Sequence, residues 1–407
     1  MDLLGQVLHH GPTMLFQPIV DLVDGDVVGY EALARGPAGS ALESPDAMFA
    51  EARRTGRVVE LDWACRAAAA RAALAGGLRL PLSLFVNLEP ETAGVARPAT
   101  APLLDDEGRQ LRGVVEFTER ELLRRPAQVL EAAQRIRERG GRVALDDVGA
   151  DPASTSFLAL LMPDVIKLDM ALIQTDPNPH VAETVQAVMA HAERTGAHVL
   201  AEGIETERQL ETALSLGARF GQGYRFGRPA PLPSLPSVAA ISPILAVPDP
   251  TEDVDTPFDL VARSDKLRTS RKPLLVEMSK HLELFAKRAP DTVVLLGAFQ
   301  QGDYFSAATA ERYADLAEQL TFVAALGVGM AEAPGPGVRG VPLMHEDRLT
   351  REWTVVVLGV HVAAALIARE VGDDASQEQR LFQSIVTHDR SIVIAAARAL
   401  MRRVPPI

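Results

Sequence analysis

The chain has 407 residues, of which 47% are hydrophobic and 23% charged, the balance of an ordinary soluble globular protein with two or three domains. Its formal net charge of −13 argues against nonspecific binding to DNA or anionic membrane, so we expect no direct nucleic-acid or membrane partner. The single cysteine excludes an intrachain disulfide and fits a reducing, cytoplasmic compartment. The N-terminus lacks a basic region followed by a long apolar stretch, so we expect no signal peptide.

The first part of the chain alternates short apolar runs with alanine- and arginine-rich stretches. The stretches LDWACRAAAARAALA (61–75) and PAQVLEAAQRIRER (126–139) are typical of helices. Eight buried strands are predicted within MLFQPIV, VVGYEAL, LSLFVN, GVVEFT, RVALDD, DVIKLD, HVLAEG and RFGQGYRF. Eight strand–helix units over roughly 230 residues predict an α/β fold, namely a (β/α)₈ TIM-like barrel. The first two runs are separated only by DLVDGD, whose Asp-Gly favours a hairpin turn, so one strand should run antiparallel.

The second part of the chain predicts a smaller α/β domain over residues 258–407, joined to a domain over 1–232 by a proline-rich linker over 233–257. Helices are predicted within PLLVEMSKHLELFAKRA and QRLFQSIVTHDRSIVIAAARALMRR, and strands within TVVLLGAF and EWTVVVLG. The longest apolar run, TVVVLGVHVAAALIA, is shorter than the roughly 20 residues of a membrane-spanning helix. We interpret it as a buried strand that runs into a helix.

Charged and amide side chains stand at or just after the ends of the barrel strands. They are Glu31, Arg35, Asn87, Glu116, Glu119, Asp146, Asp147, Lys167, Asp169, Glu202, Glu205 and Gln222. The carboxyl ends of barrel strands meet on one face, so these side chains should converge there. The carboxylates would repel one another unless a divalent cation bound between them. Oxygen ligands suit Mg²⁺, Mn²⁺ or Ca²⁺, and the lack of cysteine or histidine at these ends argues against zinc.

Each of these residues also has an ordinary structural explanation. Asp146 and Asp147 before a glycine often form a simple turn, and Asn87 suits a turn as well. A solvent-facing pair of Lys167 and Asp169 would contribute little stability. Suitable residue types at six strand ends together favour the metal interpretation, with adjacent aspartates serving two ions. Two ions about 3.5–4 Å apart are the usual device for phosphodiester cleavage.

These segments resemble the EAL-domain cyclic di-GMP phosphodiesterase family over about residues 10–232. The naming motif stands at Glu31-Ala32-Leu33 within FQPIVDLVDGDVVGYEALAR. Further matching motifs, in order, are FVNLEP, VVEFTE, LDDVG, IKLD, AEGIE and GQGYRFGRP. The resemblance implies hydrolysis of cyclic di-GMP to linear pGpG with Mg²⁺ or Mn²⁺, in a homodimer.

The resemblance also implies roles for individual residues. The metal ligands would be Glu31, Asn87, Glu116, Asp146, Asp147 and Glu202. Glu202 would act as general base, Lys167 would orient the attacking water, and Glu31 would complete the catalytic set. Ligand-binding residues would be Gln17, Leu33, Arg35, Asp169 and Gln222. Glu119 and Glu205 would stabilise loops.

One departure from the family pattern follows the aspartate pair. The family has Asp-Asp-Phe-Gly-Thr-Gly-Tyr-Ser-Ser, whereas this chain reads Asp-Asp-Val-Gly-Ala-Asp-Pro-Ala-Ser from Asp146 onward. Pro152 stiffens the loop and Asp151 replaces a flexible glycine, which puts dimer-coupled activation in doubt. The second domain weakly resembles the DICT sensory domain, on FSAATAERYADLAEQ and REWTVVVLGVHVAAALIARE. This implies an input domain with an unknown signal or protein partner.

Three functional hypotheses follow from these features. The complete ligand set favours a phosphodiesterase regulated by its C-terminal domain. The altered loop allows a catalytically silent sensor that binds cyclic di-GMP and signals through that domain. An interaction protein that no longer binds the nucleotide is disfavoured because Arg35, Gln17 and Lys167 are retained. The same barrel could also act on another phosphodiester, such as a linear dinucleotide.

Overall fold

The computed structural model describes residues 2–93, 95, 111–176, 178–233, 244–288, 293–372 and 379–407. The chain divides into two units, each of which has its own sheet. The first unit comprises Met1–Glu121, Glu131–Ala150 and Pro163–Val247. The second comprises Leu122–Leu130, Asp151–Met162 and Pro248–Ile407. Two segments predicted for the first domain, 122–130 and 151–162, therefore group with the second unit.

The first unit contains a closed barrel of eight strands in sequential order. The strands are β1 Thr13–Asp21, β2 Val27–Arg35, β3 Ser83–Asn87, β4 Arg112–Thr118, β5 Arg142–Val148, β6 Val165–Leu168, β7 His198–Ala201 and β8 Phe220–Gln222. β1 pairs antiparallel with both β2 and β8, and every other neighbouring pair is parallel. The predicted TIM-like barrel with one antiparallel strand is confirmed.

Nine helices of the described residues lie between the strands or before them. They are α1 Leu3–His10, α2 Pro45–Arg54, α3 Val58–Ala75, α4 Glu119–Arg124, α5 Pro126–Glu138, α6 Leu158–Leu161, α7 Met170–Gln174, α8 Pro179–Thr195 and α9 Glu207–Ser215. Capping residues in the local sequence define the N-termini of several of these helices. Ser44 and Asn178 cap α2 and α8 ahead of a first-turn proline, and Thr206 forms a reciprocal capping box with Gln209.

One buried apolar residue from every strand forms a layer inside the barrel. The layer comprises Ile19, Val28, Phe85, Val114, Ala144, Val165, Leu200 and Phe220, and Ile244 packs against it. Ile244 lies within the region predicted to be a linker, and it is fully buried. Nearby, the Val247 backbone N–H donates to Asp164 Oδ1 at 2.7 Å. A short apolar run among the prolines thus gains enough burial to join the barrel core rather than remain a free linker.

The second unit contains a seven-stranded sheet in the order β12-β11-β10-β13-β14-β15-β9. Its strands are β9 Arg268–Arg271, β10 Val293–Gln301, β11 Phe322–Val328, β12 Arg339–Leu343, β13 Glu352–Gly359, β14 Ala363–Val371 and β15 Leu381–Thr387. Its helices after residue 248 are α10 Lys272–Lys287, α11 Ala307–Ala317 and α12 Arg390–Met401. β10, β11 and β12 are parallel, and the remaining pairs are antiparallel.

The sequence predicted helices in two segments of this unit that form strands in the structure, and both predictions were wrong. The alanine-rich part of the long apolar run forms β14, which pairs with β13 on one side and β15 on the other. Ala364, Leu366 and Ala368 join the core that contains α10 residues, and the intervening Ala365 and Ile367 are also fully buried. A strand covered on both faces is continuously apolar, so its sequence has no two-residue alternation to distinguish it from a helix.

The second error concerns the start of the predicted C-terminal helix. Residues 381–387 form β15, and α12 begins only at Arg390, where Asp389 caps it by accepting from Ser391 N–H at 3.0 Å. Phe382 is fully buried and Gln383 is exposed, which is the alternation of an ordinary strand. The aspartate cap marks the true helix start.

None of the described helices combines the length and the apolar character that crossing a bilayer requires.

A partly buried ion pair in the second unit carries a prediction about stability. Asp249 Oδ2 accepts from Arg398 Nη1 at 2.7 Å, and Arg398 Nε donates to the Leu160 carbonyl at 2.8 Å. Burial opposes ionisation of Asp249, but Arg398 and Thr251 together hold its pKa below the ordinary 3.8. We expect Asp249→Asn to lower the free energy of unfolding by about 2 kcal/mol at pH 7, because Arg398 loses its charged partner.

The pH dependence of this effect has a definite sign. A carboxyl group with a depressed folded-state pKa contributes stability above its unfolded pKa and loses it as the pH falls through the folded pKa. Urea unfolding at pH 7 should therefore give a lower free energy of unfolding for Asp249→Asn than for the unchanged chain. This difference in free energy should shrink below about pH 4. Asp265→Asn, at an exposed position, is the control and should change stability by less than about 0.5 kcal/mol. A constant difference across this pH range would contradict the prediction.

Candidate active site

Four carboxylates surround a buried lysine at the carboxyl ends of the barrel strands. Lys167, on β6, is 1% exposed, and its Nζ lies 2.7 Å from Glu116 Oε1 on β4. The same Nζ lies 2.8 Å from Glu202 Oε1, after β7, and 3.1 Å from Asp146 Oδ2 on β5. Glu31 Oε2, on β2, lies 3.8 Å away. Residues from five strand ends thus meet at one ammonium group.

Amide side chains fix the position of Glu31. Gln222 Nε2, on β8, donates to Glu31 Oε2 at 2.7 Å and to Gln17 Oε1 at 3.1 Å. Asn87 Nδ2, at the end of β3, donates to Glu31 Oε1 at 3.2 Å. Gln17, on β1, in turn donates from Nε2 to the Gly227 carbonyl at 3.2 Å. Both oxygens of Glu31 are therefore oriented by neutral donors.

Asp147 stands in a strained backbone conformation beside this cluster. Its φ is 56°, the left-handed region that non-glycine residues occupy at a cost of roughly 1–2 kcal/mol. The backbone N–H of Asp147 donates to Asp146 Oδ1 at 2.9 Å. Asp147 is exposed, whereas Asp146 is buried. Carboxylate oxygens of Asp146, Asp147 and Glu202 lie within 4.8 Å of one another. The strain thus accompanies a cluster of three carboxylates at the site.

The electrostatics of the site favour a positive ligand. Five carboxylates against one ammonium leave a formal charge of −4 when all are ionised. Burial raises the pKa of Glu202 to about 8 and the pKa of Glu116 well above its ordinary value. Partial loss of hydration and the neighbouring Asp146 also raise the pKa of Asp147, although this residue is exposed at the surface. The pKa of Lys167 is raised although burial opposes this, because the surrounding carboxylates stabilise its charged form.

Two buried oxygens at the site lack a hydrogen-bond donor among the described residues. They are Glu116 Oε2 and Gln222 Oε1. Glu116 Oε1 has the Lys167 ammonium within 2.7 Å but outside hydrogen-bond geometry. Unpaired buried acceptors are costly, and a divalent cation or its bound water satisfies them. The oxygen-only donor set, the charge excess and these acceptors fit one or two hard divalent cations.

The other predicted site residues lie around this cluster or outside it. Arg35 ends β2, and its Nη1 donates to the Ala34 carbonyl at 2.8 Å. Asp169 caps α7 by accepting from Ala171 N–H at 2.7 Å, which is a structural contact. Glu205 is exposed, and its backbone N–H donates to Gln209 Oε1 at 2.8 Å. The side chain of Glu119 lies outside the described part of the chain.

A cavity of about 370 Å³ beside the site was not predicted from the sequence. Leu33 and Asn87 line it together with Phe49 of α2 and Arg66 of α3. Arg66 is held by Asp62 at 2.5 Å and lies 4.1 Å from the Trp63 ring centroid. The helix residues carry no motif, because their side chains meet the strand ends only in the folded barrel.

Comparison with known families agrees with this geometry. Residues 4–229 match the family model of the EAL domain. Residues 260–371 match the sensory domain of diguanylate cyclases and two-component systems, known as DICT. Both resemblances inferred from the sequence are confirmed.

Two curated relatives each align with about half of this chain. Cyclic di-GMP phosphodiesterase NbdA of Pseudomonas aeruginosa is 32% identical over 234 residues, which cover 54% of this chain and 29% of that protein. Cyclic di-GMP phosphodiesterase RocR of the same organism is 31% identical over 223 residues, with coverages of 53% and 57%. The chain thus spans less than two thirds of the length of either relative.

Solved structures of similar proteins contain metal or nucleotide. BlrP1 of Klebsiella pneumoniae, in complex with calcium and cyclic di-GMP, is 30% identical with a TM-score of 0.47, covering 55% of this chain and 57% of that chain. BlrP1 has also been solved with manganese. A standalone EAL protein from Vibrio cholerae with bound cyclic di-GMP is 25% identical, with a TM-score of 0.46 and coverages of 54% and 92%. The EAL match extends over more than half of this chain, which therefore belongs to the EAL-domain family.

Proposed function

We propose that the protein is a metal-dependent phosphodiesterase that hydrolyses cyclic di-GMP to linear pGpG. The observation that carries the proposal is the group of four carboxylates around buried Lys167, with Asp147 beside Asp146 and Glu202 as a fifth. Relatives of this domain are named cyclic di-GMP phosphodiesterases, which indicates the substrate. Mg²⁺ or Mn²⁺ would be held by Glu31, Asn87, Glu116, Asp146, Asp147 and Glu202.

Divalent cations, when bound, would lower the pKa of water and stabilise the charge that develops on the phosphate. The residues of the chain do the remaining work. Glu202 accepts the proton of the attacking water in its ionised form, which a bound cation would favour, because burial raises the pKa of Glu202 to about 8. Lys167 holds Glu116, Asp146 and Glu202 in place and orients the water by its charge.

Residues beside the carboxylates would bind the dinucleotide. Arg35 offers a cation to a phosphate at the end of β2, and Leu33 lines the adjacent cavity of about 370 Å³. Gln17 and Gln222 complete the binding surface and keep Glu31 oriented. Asp169 would contribute through the α7 start that it caps. A homodimer and a cytoplasmic location also belong to this proposal.

Regulation by the C-terminal unit is supported by the segment that follows the aspartate pair. The boundary between the units falls between Ala150 and Asp151, shortly after Asp147. Within the second unit, Ser156 Oγ donates to Thr321 Oγ1 at 2.8 Å, and the Phe157 and Phe322 rings stack edge-to-face at 6.4 Å. A shift of these residues would be transmitted along the chain to Asp147. We therefore infer that an input to the second unit changes activity through this segment.

A catalytically silent sensor is the second candidate, and the altered sequence after Asp147 favours it. In this reading the ligand set binds cyclic di-GMP without turnover, and the second unit passes on the signal. The two candidates differ in product formation and not in nucleotide binding.

Product analysis separates these candidates. Purified protein would be incubated with cyclic di-GMP and either Mg²⁺ or Mn²⁺, and the nucleotides would be separated by chromatography. We expect pGpG, and we expect Glu31→Ala to slow its formation at least about 10²-fold, because one cation ligand is lost. Glu193→Gln, at an exposed position on α8, is the control and should leave the rate unchanged. Binding of cyclic di-GMP without product would instead establish the sensor.

A further inference from the structure

The cavity of about 370 Å³ in the first unit borders the carboxylate cluster. Asn87 lines this cavity and also donates to Glu31 Oε1 at 3.2 Å, so the two spaces meet at the end of β3. A cavity of about 150 Å³ holds benzene, and a purine base has roughly twice as many non-hydrogen atoms. The cavity therefore has room for one nucleobase and is too small for a whole cyclic dinucleotide.

The walls of this cavity suit a flat and uncharged ring. Leu33 and Phe49 contribute apolar surface against which an aromatic base can pack. Arg53 in the lining is already paired, because its Nη2 lies 2.5 Å from Glu89 Oε2. Among the described residues, the two arginines of the lining face three carboxylates, namely Asp46, Asp62 and Glu89. The lining thus lacks the excess positive charge that a phosphate would require, whereas an uncharged base requires none.

Arg66, on α3, brings an unused hydrogen-bond donor to the cavity. Its Nη2 lies 2.5 Å from Asp62 Oδ2, and its guanidinium carbon lies 4.1 Å from the Trp63 ring centroid. Asp62 is 2% exposed and also accepts from the Glu89 backbone N–H at 3.0 Å, which fixes the guanidinium beside the segment after β3. The Arg66 Nε is buried and has no hydrogen-bond partner among the described residues. An unpaired buried donor is costly, and an acceptor atom of a ligand satisfies it.

We propose that Arg66 determines specificity for guanine, an inference that rests on the proposed function. Guanine presents two neighbouring acceptors, O6 and N7, and donation from arginine to this pair is the commonest specific contact with that base. Adenine presents N7 beside the N6 amino donor, which would face the arginine without a hydrogen bond. Arg66 therefore donates to O6 and N7 of one guanine, with its Nε–H among the donors, while the ring packs against Leu33 and Phe49.

Binding of two dinucleotides to the full chain tests this role. Cyclic di-GMP and cyclic di-AMP differ only in their bases, and isothermal titration calorimetry in Ca²⁺ measures the Kd of each. We expect the unchanged chain to bind cyclic di-GMP at least about tenfold more tightly than cyclic di-AMP. Arg66→Met should remove most of this preference by weakening the binding of cyclic di-GMP alone. Arg71→Met, at an exposed position on the same helix, is the control and should keep the preference.

A second variant separates recognition of the base from support of the fold. Arg66→Lys keeps a positive charge beside Asp62 and lacks the planar guanidinium, so it should fold normally and still lose the preference for cyclic di-GMP. Circular dichroism shows whether each variant is folded. The inference is overturned, with the proposed hydrolysis left standing, if the unchanged chain has no preference or if both folded Arg66 variants keep it. Binding of neither dinucleotide to the unchanged chain would overturn this inference and the proposed function together.

Discussion

Replacing Lys167 by methionine should destabilise the metal-free protein and abolish its hydrolysis of cyclic di-GMP. The Lys167 ammonium lies within 3.1 Å of oxygens from Glu116, Asp146 and Glu202, and it is 1% exposed. Methionine keeps the volume and removes the charge, so buried carboxylates lose their counterion. We expect a loss of about 3–5 kcal/mol in the free energy of unfolding, the usual cost of breaking a buried ion pair.

Divalent cations should partly reverse this loss of stability. They neutralise the same carboxylates, so the difference between Lys167→Met and the unchanged chain should be larger in EDTA than in Mn²⁺. Urea unfolding under both conditions measures the difference. Hydrolysis should fall at least about 10²-fold even with Mn²⁺, because the charge that orients the water is gone.

Lys280→Met is the matched control for this experiment. Lys280 is exposed and pairs only at the surface with Glu277 at 2.6 Å, so its loss should change stability by less than about 0.5 kcal/mol. Equal stability of Lys167→Met and the unchanged chain in EDTA would show that the ammonium does not neutralise the cluster.

Adding Mg²⁺ or Mn²⁺ to EDTA-treated protein should raise the temperature at which the barrel unfolds. A ligand that binds only the folded state at 100 times its Kd adds about 2.7 kcal/mol. Neutralisation of five carboxylates, and partners for the buried oxygens of Glu116 and Gln222, are the physical source of this gain. Differential scanning calorimetry with increasing cation concentration measures the shift.

Variants of the aspartate pair identify the site of cation binding. The double substitution Asp146→Asn and Asp147→Asn removes two of the three carboxylates whose oxygens lie within 4.8 Å of one another, so the cation-dependent shift should disappear. Asp176→Asn, a surface carboxylate on the same unit, should keep the full shift. A shift that survives the double substitution would place the cations elsewhere on the protein.

Much of the site could be predicted from strand ends alone. The apolar runs define eight strands, and a closed parallel barrel brings their carboxyl ends to one face. Glu31, Glu116, Asp146 and Glu202 follow directly from that rule. The central position of Lys167 does not, because the sequence does not say whether a lysine in a strand points inward or into solvent. Its burial is decided by the carboxylates that surround it.

The second unit shows the limit of the same reasoning. β14 consists largely of alanine and other apolar residues, whose intrinsic preference favours a helix, yet it forms a strand between β13 and β15. Hydrogen bonding to two neighbouring strands and burial on both faces outweigh that preference. Those neighbours are tertiary partners, and a local pattern does not contain them.

The sequence by itself determined the barrel, its antiparallel first strand, the acidic strand ends and the presence of a second α/β unit. These features depend on short-range periodicity, turn residues and the order of elements, all of which are local. Only the tertiary structure decided that Ile244 closes the barrel core, that residues 151–162 group with the second unit, and that aromatic and charged side chains enclose a cavity there. Each of these features depends on which surfaces bury one another in the folded protein. The free energy of that burial comes from contacts between residues far apart in the chain, which a local sequence pattern does not contain.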